Sequence, residues 1–554
     1  MNASLLLCFH SGYFGKITSM SFSKITSAVL LASLLVSCTR SIEEPATFPT
    51  YDPFISASGN TPIPNNNPAS VSTATVAITL TPSPTATRPP TPTRVPLSIS
   101  ALFGFQNQAS SSSPTPDAAR ILPTPRQDSN EYVVQPGDTL GDIAQRYGIS
   151  LQTLLDANNI SDANLLEVGM VLVIPAPQPS GSGSALKIIP DSELVNSPSV
   201  IEFNLRNFIA SQNGYLNSYV QDVNGVLLNG ADIIEAVSTN YSVNPRILLA
   251  LLEYQSGWVT NPTPANIDYP MGYMDESRSG LYRQVTWAAN TLNRGYYLWR
   301  ANAISTLVLA DGQVIPMDPT INAGTAAVQY FFSEVSGYGA WQFDTSETGV
   351  VVSYFVFFGN PFQYAIEPLI PATLAQPLMS LPFSSGESWY FTGGPHGGWD
   401  SGSAWGSLDF APPDNPASCN SSSLWVTAMA DGLITRTGIG SVIQDLDNDG
   451  YEQTGWVILY MHIAAAQRVQ PGEYIFANER VGHPSCEGGF SNATHVHIAR
   501  KYNGEWIAAD GAIPFVLDGW VSSGNGYEYD GFLTRGGASI EAIDGASEEN
   551  LITR

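Results

Sequence analysis

The stretch THVHIAR, residues 494–500, has the alternating apolar pattern of a β-strand and carries histidines at two alternate positions. On a strand, residues i and i+2 project from the same face, roughly 6.5–7 Å apart. One imidazole of such a pair can bind a metal ion while the other reaches the substrate. A second strand-like run, WVILYM at 456–461, ends next to His462, whose ring can lie beside those of His495 and His497. The pattern predicts a β-sheet with a histidine cluster near the ends of two strands.

The histidines of this chain are concentrated in its C-terminal part. Of the six, His10 lies near the start, and the other five lie between positions 396 and 497. His396 ends the motif GPH, and the segment LDFAPP at 408–413 follows with one carboxylate. Two imidazoles and a carboxylate leave one position open on a tetrahedral zinc ion, which is the arrangement that catalysis needs. These residue types therefore favour a catalytic zinc site.

These motifs together resemble the lysostaphin/LytM family of zinc endopeptidases, a β-sheet fold that hydrolyses peptidoglycan peptides. The resemblance spans residues 385–535 and includes AMADG at 428–432, where the family has a similar A-x-x-D-G. It implies one Zn²⁺ per peptidase domain, and the zinc ligands that it implies are His396, Asp409 and His497. It also implies that two further histidines orient the attacking water and stabilise the oxyanion, namely His462 and His495.

The sequence departs from the family in the position of the aspartate. The family usually places this residue four positions after the first histidine, where Asp400 stands here. Asp409, however, carries the DFAPP context that follows the ligand in the family. We therefore interpret residues 399–407 as an inserted loop and Asp409 as the ligand. An alternative is a degenerate, metal-free domain like those that activate cell-division amidases.

Two other features near this region are given structural interpretations. His483 lies in the motif VGHP beside Cys486 and is predicted to belong to a surface loop rather than to the metal site. The acidic run DLDNDG at 445–450 imitates the start of a calcium loop, but position twelve is Trp456 rather than Glu, which excludes an EF-hand. It is predicted to be a hairpin tip between two strands, with adventitious calcium as the alternative.

A small module precedes these regions at residues 131–176. It begins with YVVQPGDTL at 132–140 and closes with VLVIP at 171–175, with short apolar patterns between them. These patterns predict a strand, a Pro-Gly turn, two brief helices and a closing strand. The segment closely resembles a LysM module, which binds N-acetylglucosamine-containing glycans such as peptidoglycan. A small domain that serves only as a spacer is the alternative.

Residues 190–370 show helix-length apolar patterning and are predicted to form a helical domain. The run NPRILLALLEYQSGW at 244–258 resembles the catalytic helix of lysozyme-like lytic transglycosylases. Gln255 stands where that family has its acid, and an amide cannot donate a proton to a glycosidic oxygen. Glu253 precedes Gln255 by two residues and therefore lies about 200° away from it around the helix, so it cannot simply replace the missing acid. We predict a lysozyme-like but non-catalytic domain with a glycan-binding or scaffold role, and the alternative is a second active site built on Glu253.

The N-terminus has the features of an export signal. Lys24 precedes an apolar run at residues 28–36, which is too short for a stable membrane span. The sequence LVSC at 35–38 resembles the bacterial lipobox, which implies a signal peptide at 1–38 and lipidation of Cys38. A start at Met20 would give a signal of more usual length than a start at Met1. A plain signal peptide with an incidental cysteine is the alternative.

Composition separates the folded parts from the connectors. The chain has 40 prolines, 48 glycines and only 13% charged residues, which indicates folded domains joined by irregular segments. The fold class is predicted to be multidomain α+β: a βααβ module, a helical domain and a C-terminal antiparallel sheet. A Pro/Thr/Ser-rich stalk is predicted at 39–130. Linkers are predicted at 177–189 and 371–384, and a C-terminal tail is predicted at 536–554.

Charge and cysteine content limit the partners and the compartment. A formal net charge of -26 argues against binding to nucleic acid and against electrostatic docking on anionic lipids. The predicted membrane contact is therefore the lipid anchor alone. After removal of the leader and acylation of Cys38, Cys419 and Cys486 remain in an oxidising compartment, which favours a disulfide. A thiolate metal site is the weaker alternative, because neither cysteine has C-x-x-C spacing.

These expectations combine into one prediction of function. The chain is expected to be an extracytoplasmic, lipid-anchored zinc endopeptidase that cuts peptide cross-links of peptidoglycan. Its partners are expected to be the glycan strands, through the LysM module, and the peptide stems, through the peptidase domain. The alternative is a non-enzymatic envelope protein that binds peptidoglycan and localises or activates another wall hydrolase.

Overall fold

The computed structural model describes residues 114, 116–135, 138–163, 165–414 and 417–554. The predicted signal peptide, Cys38 and most of the predicted stalk lie outside the described residues. Within the described ranges, no helix combines the length and the apolar character that crossing a membrane requires.

The first folded module has the predicted order of strand, two helices and strand. Thr139 and Ser150 cap the two helices by accepting hydrogen bonds from backbone amides three residues further on. The two strands pair antiparallel, and Ile143, Leu154 and Ile174 lie in the small core between them and the helices. The elements are β1 (Asn130–Val133), α1 (Leu140–Arg146), α2 (Leu151–Asn158) and β2 (Val171–Ile174).

The second folded region is mainly helical, as predicted, and it also contains two β-hairpins. Its central helix begins with Asn244 as the N-cap and Pro245 in the first turn, and it ends at Gly257 in the left-handed conformation. The first elements are α3 (Asp191–Leu194), α4 (Leu205–Gln212), α5 (Tyr215–Ser218), β3 (Val220–Val223), β4 (Val226–Asn229), α6 (Gly230–Tyr241) and α7 (Pro245–Ser256). The remaining ones are α8 (Leu281–Arg300), β5 (Thr306–Val308), β6 (Val314–Pro316), α9 (Ala323–Val335), α10 (Tyr338–Asp344) and α11 (Val350–Phe358).

The C-terminal region is built on an antiparallel sheet whose hydrogen-bonded order is β13-β10-β11-β12-β15-β8-β7-β21, with β16 added to β15. The strands up to β14 are β7 (Ser388–His396), β8 (Ser407–Ala411), β9 (Val426–Thr427), β10 (Gly432–Thr437), β11 (Ser441–Asp445), β12 (Trp456–Met461), β13 (Tyr474–Ile475) and β14 (Arg480–Gly482). The others are β15 (Val496–Tyr502), β16 (Glu505–Trp506), β17 (Val516–Leu517), β18 (Trp520–Gly524), β19 (Gly531–Arg535), β20 (Ala538–Glu541) and β21 (Leu551–Thr553).

Four predicted boundaries differ from the structure. The expected linker at 371–384 supplies Met379, Leu381 and Phe383 to the buried core of the C-terminal region. Residues 536–554, expected as a tail, supply β20 and the edge strand β21, because Ile552 is buried against β7. The end of the expected stalk packs on the helical domain, where Arg120 donates a hydrogen bond to the carbonyl of Trp299. The expected linker at 177–189 ends in two buried isoleucines of the helical core, Ile188 and Ile189. Each segment carries apolar or charged side chains whose partners are distant in sequence.

The helical domain covers one face of the C-terminal sheet. Ile443, Leu459 and Ala499 oppose one another on adjacent strands, and their side chains belong to the same buried cluster as the helical core. The alternate residues Ile458 and Ile498 face the other way, into a separate core within the peptidase region. Since each face of the sheet is buried against a different apolar layer, the helical domain and the sheet form one packed body.

Candidate metal centre

The register of the sheet brings two predicted metal ligands side by side. Asp409 on β8 lies directly opposite His497 on β15, so that both side chains project from the same face. Gly393 on β7 is the other neighbour of Asp409, and a Cβ atom at this glycine would lie 2.6 Å from Oδ2 of the aspartate. The strand β7 is irregular after Gly393, and it ends at His396, whose ring reaches the same carboxylate.

The distances between the three side chains are short and nearly equal. Nε2 of His396 lies 3.0 Å from Nδ1 of His497 and 3.3 Å from Oδ2 of Asp409. Nδ1 of His497 lies 3.1 Å from Oδ1 of Asp409. One ligand atom from each residue lies within 4.8 Å of the others. The aspartate is 7% exposed and His396 only 3%, so the donors converge in a largely dry site.

Backbone carbonyls set the tautomers of both rings. Nδ1 of His396 lies 2.7 Å from the carbonyl of Gly394, and Nε2 of His497 lies 3.3 Å from that of Gly398. We assign the ring proton to these two nitrogens because a carbonyl can only accept. The remaining nitrogens, Nε2 of His396 and Nδ1 of His497, then direct lone pairs toward each other and toward Asp409. Such an arrangement of acceptors is stabilised by a cation.

The charges around Asp409 show that the site attracts positive charge. Burial alone would raise the pKa of its carboxyl group, but His396 and His495 outweigh it and hold the pKa well below the usual range. For His396, burial acts to lower the pKa, yet the carboxylate of Asp409 produces a net rise. The pKa of His497 is lowered, chiefly by burial. The aspartate is thus ionised at neutral pH and attracts a positive charge into the site.

These donors fit a zinc ion. Metal–ligand bonds of 2.0–2.2 Å in a tetrahedral site imply ligand–ligand separations of about 3.3–3.5 Å, close to the three distances found here. Oδ1 of Asp409 is buried, and among the described residues none donates a hydrogen bond to it, although Nδ1 of His497 is near. A buried carboxylate oxygen without a donor needs a cationic partner. Two imidazoles and one carboxylate are a ligand set that zinc accepts while one position stays open.

The two histidines predicted to act on the substrate stand next to these ligands. His462 follows β12, His495 precedes β15, and the centroids of their rings are 4.4 Å apart. Nδ1 of His462 lies 3.1 Å from the carbonyl of Glu487, and Nδ1 of His495 lies 2.8 Å from that of Ala493. Burial, followed by the neighbouring His495 and His497, holds the pKa of His462 well below its usual value. His462 is therefore neutral at pH 7, with Nε2 able to accept a proton.

Tyr529 is a residue of this site that the sequence did not reveal. It lies between β18 and β19, and its ring stacks on that of His396 with centroids 4.1 Å apart. Its side chain is 55% exposed, so it forms one wall of the site and also faces solvent. Its amide also donates a hydrogen bond to the carbonyl of Pro395. Nothing in the surrounding motif indicates this position, because the tyrosine reaches the site through the pairing of distant strands.

The structure separates Asp400 from the metal site. Its carboxylate accepts a hydrogen bond from the hydroxyl of Tyr241 at 2.9 Å, and the residue lies exposed in the predicted inserted loop. His483 is also apart, because its Nδ1 contacts the carbonyl of Leu424 and its Nε2 contacts Gln467. Both positions agree with the sequence interpretation, in which neither residue is a ligand.

The two cysteines form a disulfide with Cα atoms 5.2 Å apart. Cys419 lies in the loop after β8, and Cys486 lies in the segment between β14 and β15. The latter segment also carries Glu487, whose carbonyl orients the ring of His462. The disulfide therefore holds the polypeptide beside one of the two histidines that are predicted to act on the substrate.

The acidic run forms the connection between β11 and β12, as the sequence predicts. Its carboxylates are engaged within the turn: Asp445 accepts hydrogen bonds from the amides of Asp447 and Gly450. Burial and the adjacent Asp445 raise the pKa of Asp447 to about 6.

The second candidate site, on helix α7, has a different character. Glu253 accepts hydrogen bonds from the amides of Val259 and Thr260 and from the hydroxyl of Thr260. Its carboxylate thus stabilises the turn that follows the helix. Gln255 points toward Gly272, where a Cβ atom would lie 3.1 Å from its side-chain oxygen. This geometry agrees with the prediction of a non-catalytic domain.

Comparisons with known proteins give matches to two family models and to two kinds of curated protein. Residues 187–372 match the family model "LasA, N-terminal domain", and residues 132–175 match the LysM domain. The chain is 28% identical over 308 residues to Protease LasA of Pseudomonas aeruginosa, which covers 52% of this chain and 69% of that protein. It is also 49% identical over 49 residues to N-acetylmuramoyl-L-alanine amidase XlyA of Bacillus subtilis, over 9% of this chain and 16% of that protein.

These matches confirm the predicted LysM module. They give the helical region a different kinship from the predicted one, since the model that matches it describes the N-terminal domain of LasA rather than a lysozyme-like domain. The lysozyme-like resemblance is therefore without support from the comparisons.

Solved structures give partial similarities. The M23 metalloprotease pseudoalterin, from the deep sea, is 26% identical and covers 32% of this chain and 100% of that chain, with a TM-score of 0.26. The catalytic domain of the antimicrobial peptidase lysostaphin from Staphylococcus simulans is 22% identical and covers 23% of this chain and 95% of that chain, with a TM-score of 0.16. At these TM-scores neither likeness supports a conclusion about this chain.

Proposed function

We propose that this LasA-like chain is a zinc-dependent endopeptidase that cleaves peptide cross-links in bacterial peptidoglycan. The similarity to Protease LasA confirms the prediction of a protease. The observation that carries the metal assignment is the convergence of Nε2 of His396, the carboxylate of Asp409 and Nδ1 of His497, with two further histidines beside them. The LysM match supports the choice of peptidoglycan as substrate.

One zinc ion per peptidase domain would be held by His396, Asp409 and His497. Zinc in such a site lowers the pKa of a water molecule to about 7 and polarises a peptide carbonyl. The chain itself supplies the orientation of the ligands. The carbonyls of Gly394 and Gly398 fix both rings, and the position opposite His497 in the sheet fixes the aspartate.

His462 and His495 would move the protons of the reaction. Each ring has its Nδ1 directed at a backbone carbonyl, so that Nε2 is the nitrogen turned toward the site, and Nε2 of His495 lies 3.8 Å from Oδ2 of Asp409. A neutral Nε2 can accept a proton from the attacking water as a general base. The same nitrogen, once protonated, can donate a hydrogen bond to the oxyanion and then pass the proton to the leaving amine. The low pKa of His462 keeps it ready for the first of these steps.

Binding to the wall and anchoring would restrict where the enzyme acts. The LysM module would hold the glycan strand while the peptidase site reaches the peptide stems. The predicted lipid on Cys38 and the Pro/Thr/Ser-rich segment that follows would tether the enzyme outside the cytoplasm, with the lipid as its only membrane contact. The net charge of -26 supports the absence of nucleic acid among its partners.

Digestion of purified peptidoglycan by the full chain, with the products identified by mass spectrometry, tests this proposal. We expect products with new peptide amino termini and intact glycan bonds, and we expect a zinc chelator to stop their release. His497→Ala should remove the activity, whereas His483→Ala, at a histidine outside the site, should retain it. Products with cleaved glycan bonds, or no products from a zinc-loaded chain, would contradict the proposal.

A further inference from the structure

The face of the sheet that carries the metal ligands is the same face that the helical domain covers. His497 and Ala499 are two residues apart on β15 and therefore share a face, and Ala499 packs in the helical core. Met461, directly opposite His497, packs in that core as well. The covered area thus extends to the strand positions next to a ligand.

The segment 397–406, which we call the bridging loop, links this contact to the site. It connects His396 with the strand of Asp409, and the carbonyl of Gly398 within it accepts the hydrogen bond from Nε2 of His497. The loop conformation therefore determines the direction and the tautomer of His497. A displacement of Gly398 would release the ring from the orientation in which Nδ1 faces Asp409.

Side chains of the helical domain hold the bridging loop, among them Arg294, which donates a hydrogen bond to the hydroxyl of Ser401 at 3.5 Å. Asn290 of α8 accepts a hydrogen bond from the amide of Gly402 at 2.8 Å and donates one to the hydroxyl of Ser401 at 3.2 Å. The contact is so close that a Cβ atom at Gly402 would collide with the backbone carbonyl of Asn290. The hydroxyl of Tyr241, at the end of α6, donates a hydrogen bond to Asp400 at 2.9 Å.

Trp506 supports the loop from the other side. Its ring lies so close to Gly398 that a Cβ atom there would be 2.9 Å from it. The tryptophan is itself held by the helical domain, because its amide donates a hydrogen bond to the hydroxyl of Tyr297. The bridging loop is thus enclosed between β16 and two helices.

We infer that Asn290 and Tyr241 are positioning residues for the metal ligand His497, acting through the bridging loop. The helical domain is then part of the peptidase site, in contrast to a separate unit joined by a linker. The inference rests on the proposed zinc site. It assigns to the helical domain the orientation of a metal ligand, which a domain that only binds glycan would not need.

The test compares variants of the full chain by zinc affinity, from competition with a chromophoric chelator, and by the visible spectrum of the cobalt-substituted protein. Asn290→Ala should weaken zinc binding about tenfold, the lower end of the range for groups that orient a ligand. Tyr241→Phe should weaken it about threefold, the equivalent of one hydrogen bond. Both variants should shift the cobalt spectrum. Asn290→Asp, which keeps the acceptor for Gly402, should restore most of the affinity.

Tyr254→Phe is the matched control. It removes a hydrogen bond of the same kind, from Tyr254 to Asp344 at 2.7 Å, inside the helical domain and away from the loop. It should leave zinc affinity and the cobalt spectrum unchanged. If Asn290→Ala does not fold, Gly402→Ala tests the same contact from the loop side and should weaken zinc binding.

Two negative results have different meanings. An unaltered chain that binds no zinc would contradict the proposed function itself. An unaltered chain that binds zinc, with Asn290→Ala or Gly402→Ala indistinguishable from Tyr254→Phe in affinity and spectrum, would overturn only this inference.

Discussion

Two regions of this molecule resemble active sites in sequence, and the structure gives them opposite characters. On α7, the oxygens of Glu253 accept hydrogen bonds from Val259 and Thr260, so that the acid stabilises a turn. In the sheet, Oδ1 of Asp409 is buried without a hydrogen-bond donor among the described residues. Nδ1 of His497 lies near this oxygen, and Nε2 of His396 lies near Oδ2. The sequence around each acid resembles a catalytic family. The structure distinguishes them, because the carboxylate of the candidate metal site has an oxygen without a hydrogen-bond donor, whereas the carboxylate of Glu253 is hydrogen-bonded within its turn.

The largest expected effect follows from removing the carboxylate of the metal site. Asp409→Ala should weaken zinc binding more than about a hundredfold and abolish peptide cleavage, because two imidazoles alone hold the ion poorly. Asp400→Ala is the matched control from the predicted inserted loop. It should keep one zinc per chain, with an affinity loss of about threefold from the lost hydrogen bond to Tyr241. Zinc loss in Asp400→Ala with retention in Asp409→Ala would reverse the assignment of the ligand.

The next effect separates metal binding from turnover within the histidine cluster. His495→Ala should retain zinc but lower the rate of cleavage by about a hundredfold or more, the usual contribution of a general acid–base group. Zinc content and cleavage of wall peptides, measured on the same preparation, give the answer. Loss of the metal in this variant would make His495 a ligand and remove the role given to it here.

The carboxylate of Glu452 extends the comparison, because it is buried and forms ion pairs with Arg436 and Lys501. Burial opposes ionisation of Glu452, but Arg436 and Lys501 outweigh it and lower the pKa from 4.5 to about 2. The stability from this ionised group is therefore complete above pH 4.5 and is lost as the pH falls toward 2. Glu452→Gln should destabilise the fold by about 3 kcal/mol at neutral pH.

Urea unfolding of the Glu452→Gln variant and of the unaltered chain, over a series of pH values, measures this effect. The difference in unfolding free energy should be constant above pH 4.5 and should narrow below it. Cleavage of peptidoglycan at neutral pH should persist in the variant at a temperature where it is folded. A difference that stays constant in acid would show that the pairing contributes nothing through ionisation.

The smallest effect is expected at the other candidate site. Glu253→Gln should lower the free energy of unfolding by about 1 kcal/mol, because it weakens the hydrogen bonds to the turn after α7. Peptide cleavage should be unchanged, and both proteins should release no anhydro-muropeptides from glycan strands. Glycan products that appear with the unaltered chain and vanish with Glu253→Gln would restore the alternative of a second enzyme.

The sequence predicted the features that depend on local patterns. The strand, helices and strand of the LysM module follow from apolar periodicity, and two of the three histidine motifs lie at the ends of strands that alternation predicts. The choice of Asp409 over Asp400 came from its neighbouring residues, and the structure places it opposite His497.

Contacts between elements that are distant in the sequence could not be predicted from local patterns. The edge strand β21 pairs with β7 although about 160 residues separate them. Tyr529 reaches His396 and Asn290 reaches the bridging loop only because distant elements pack together. The sequence placed linkers between domains because Pro- and Gly-rich segments mark connectors, but composition cannot show that the sheet and the helical domain share a core.

A zinc titration of the metal-stripped full chain tests the central claim most directly. New amino groups released from purified peptidoglycan are measured at each ratio of zinc to protein. We expect no release without metal and a linear rise that ends at one zinc ion per chain, with Asp409→Ala inactive throughout. Full release by the metal-free chain, or no release at one zinc per chain, would contradict the account.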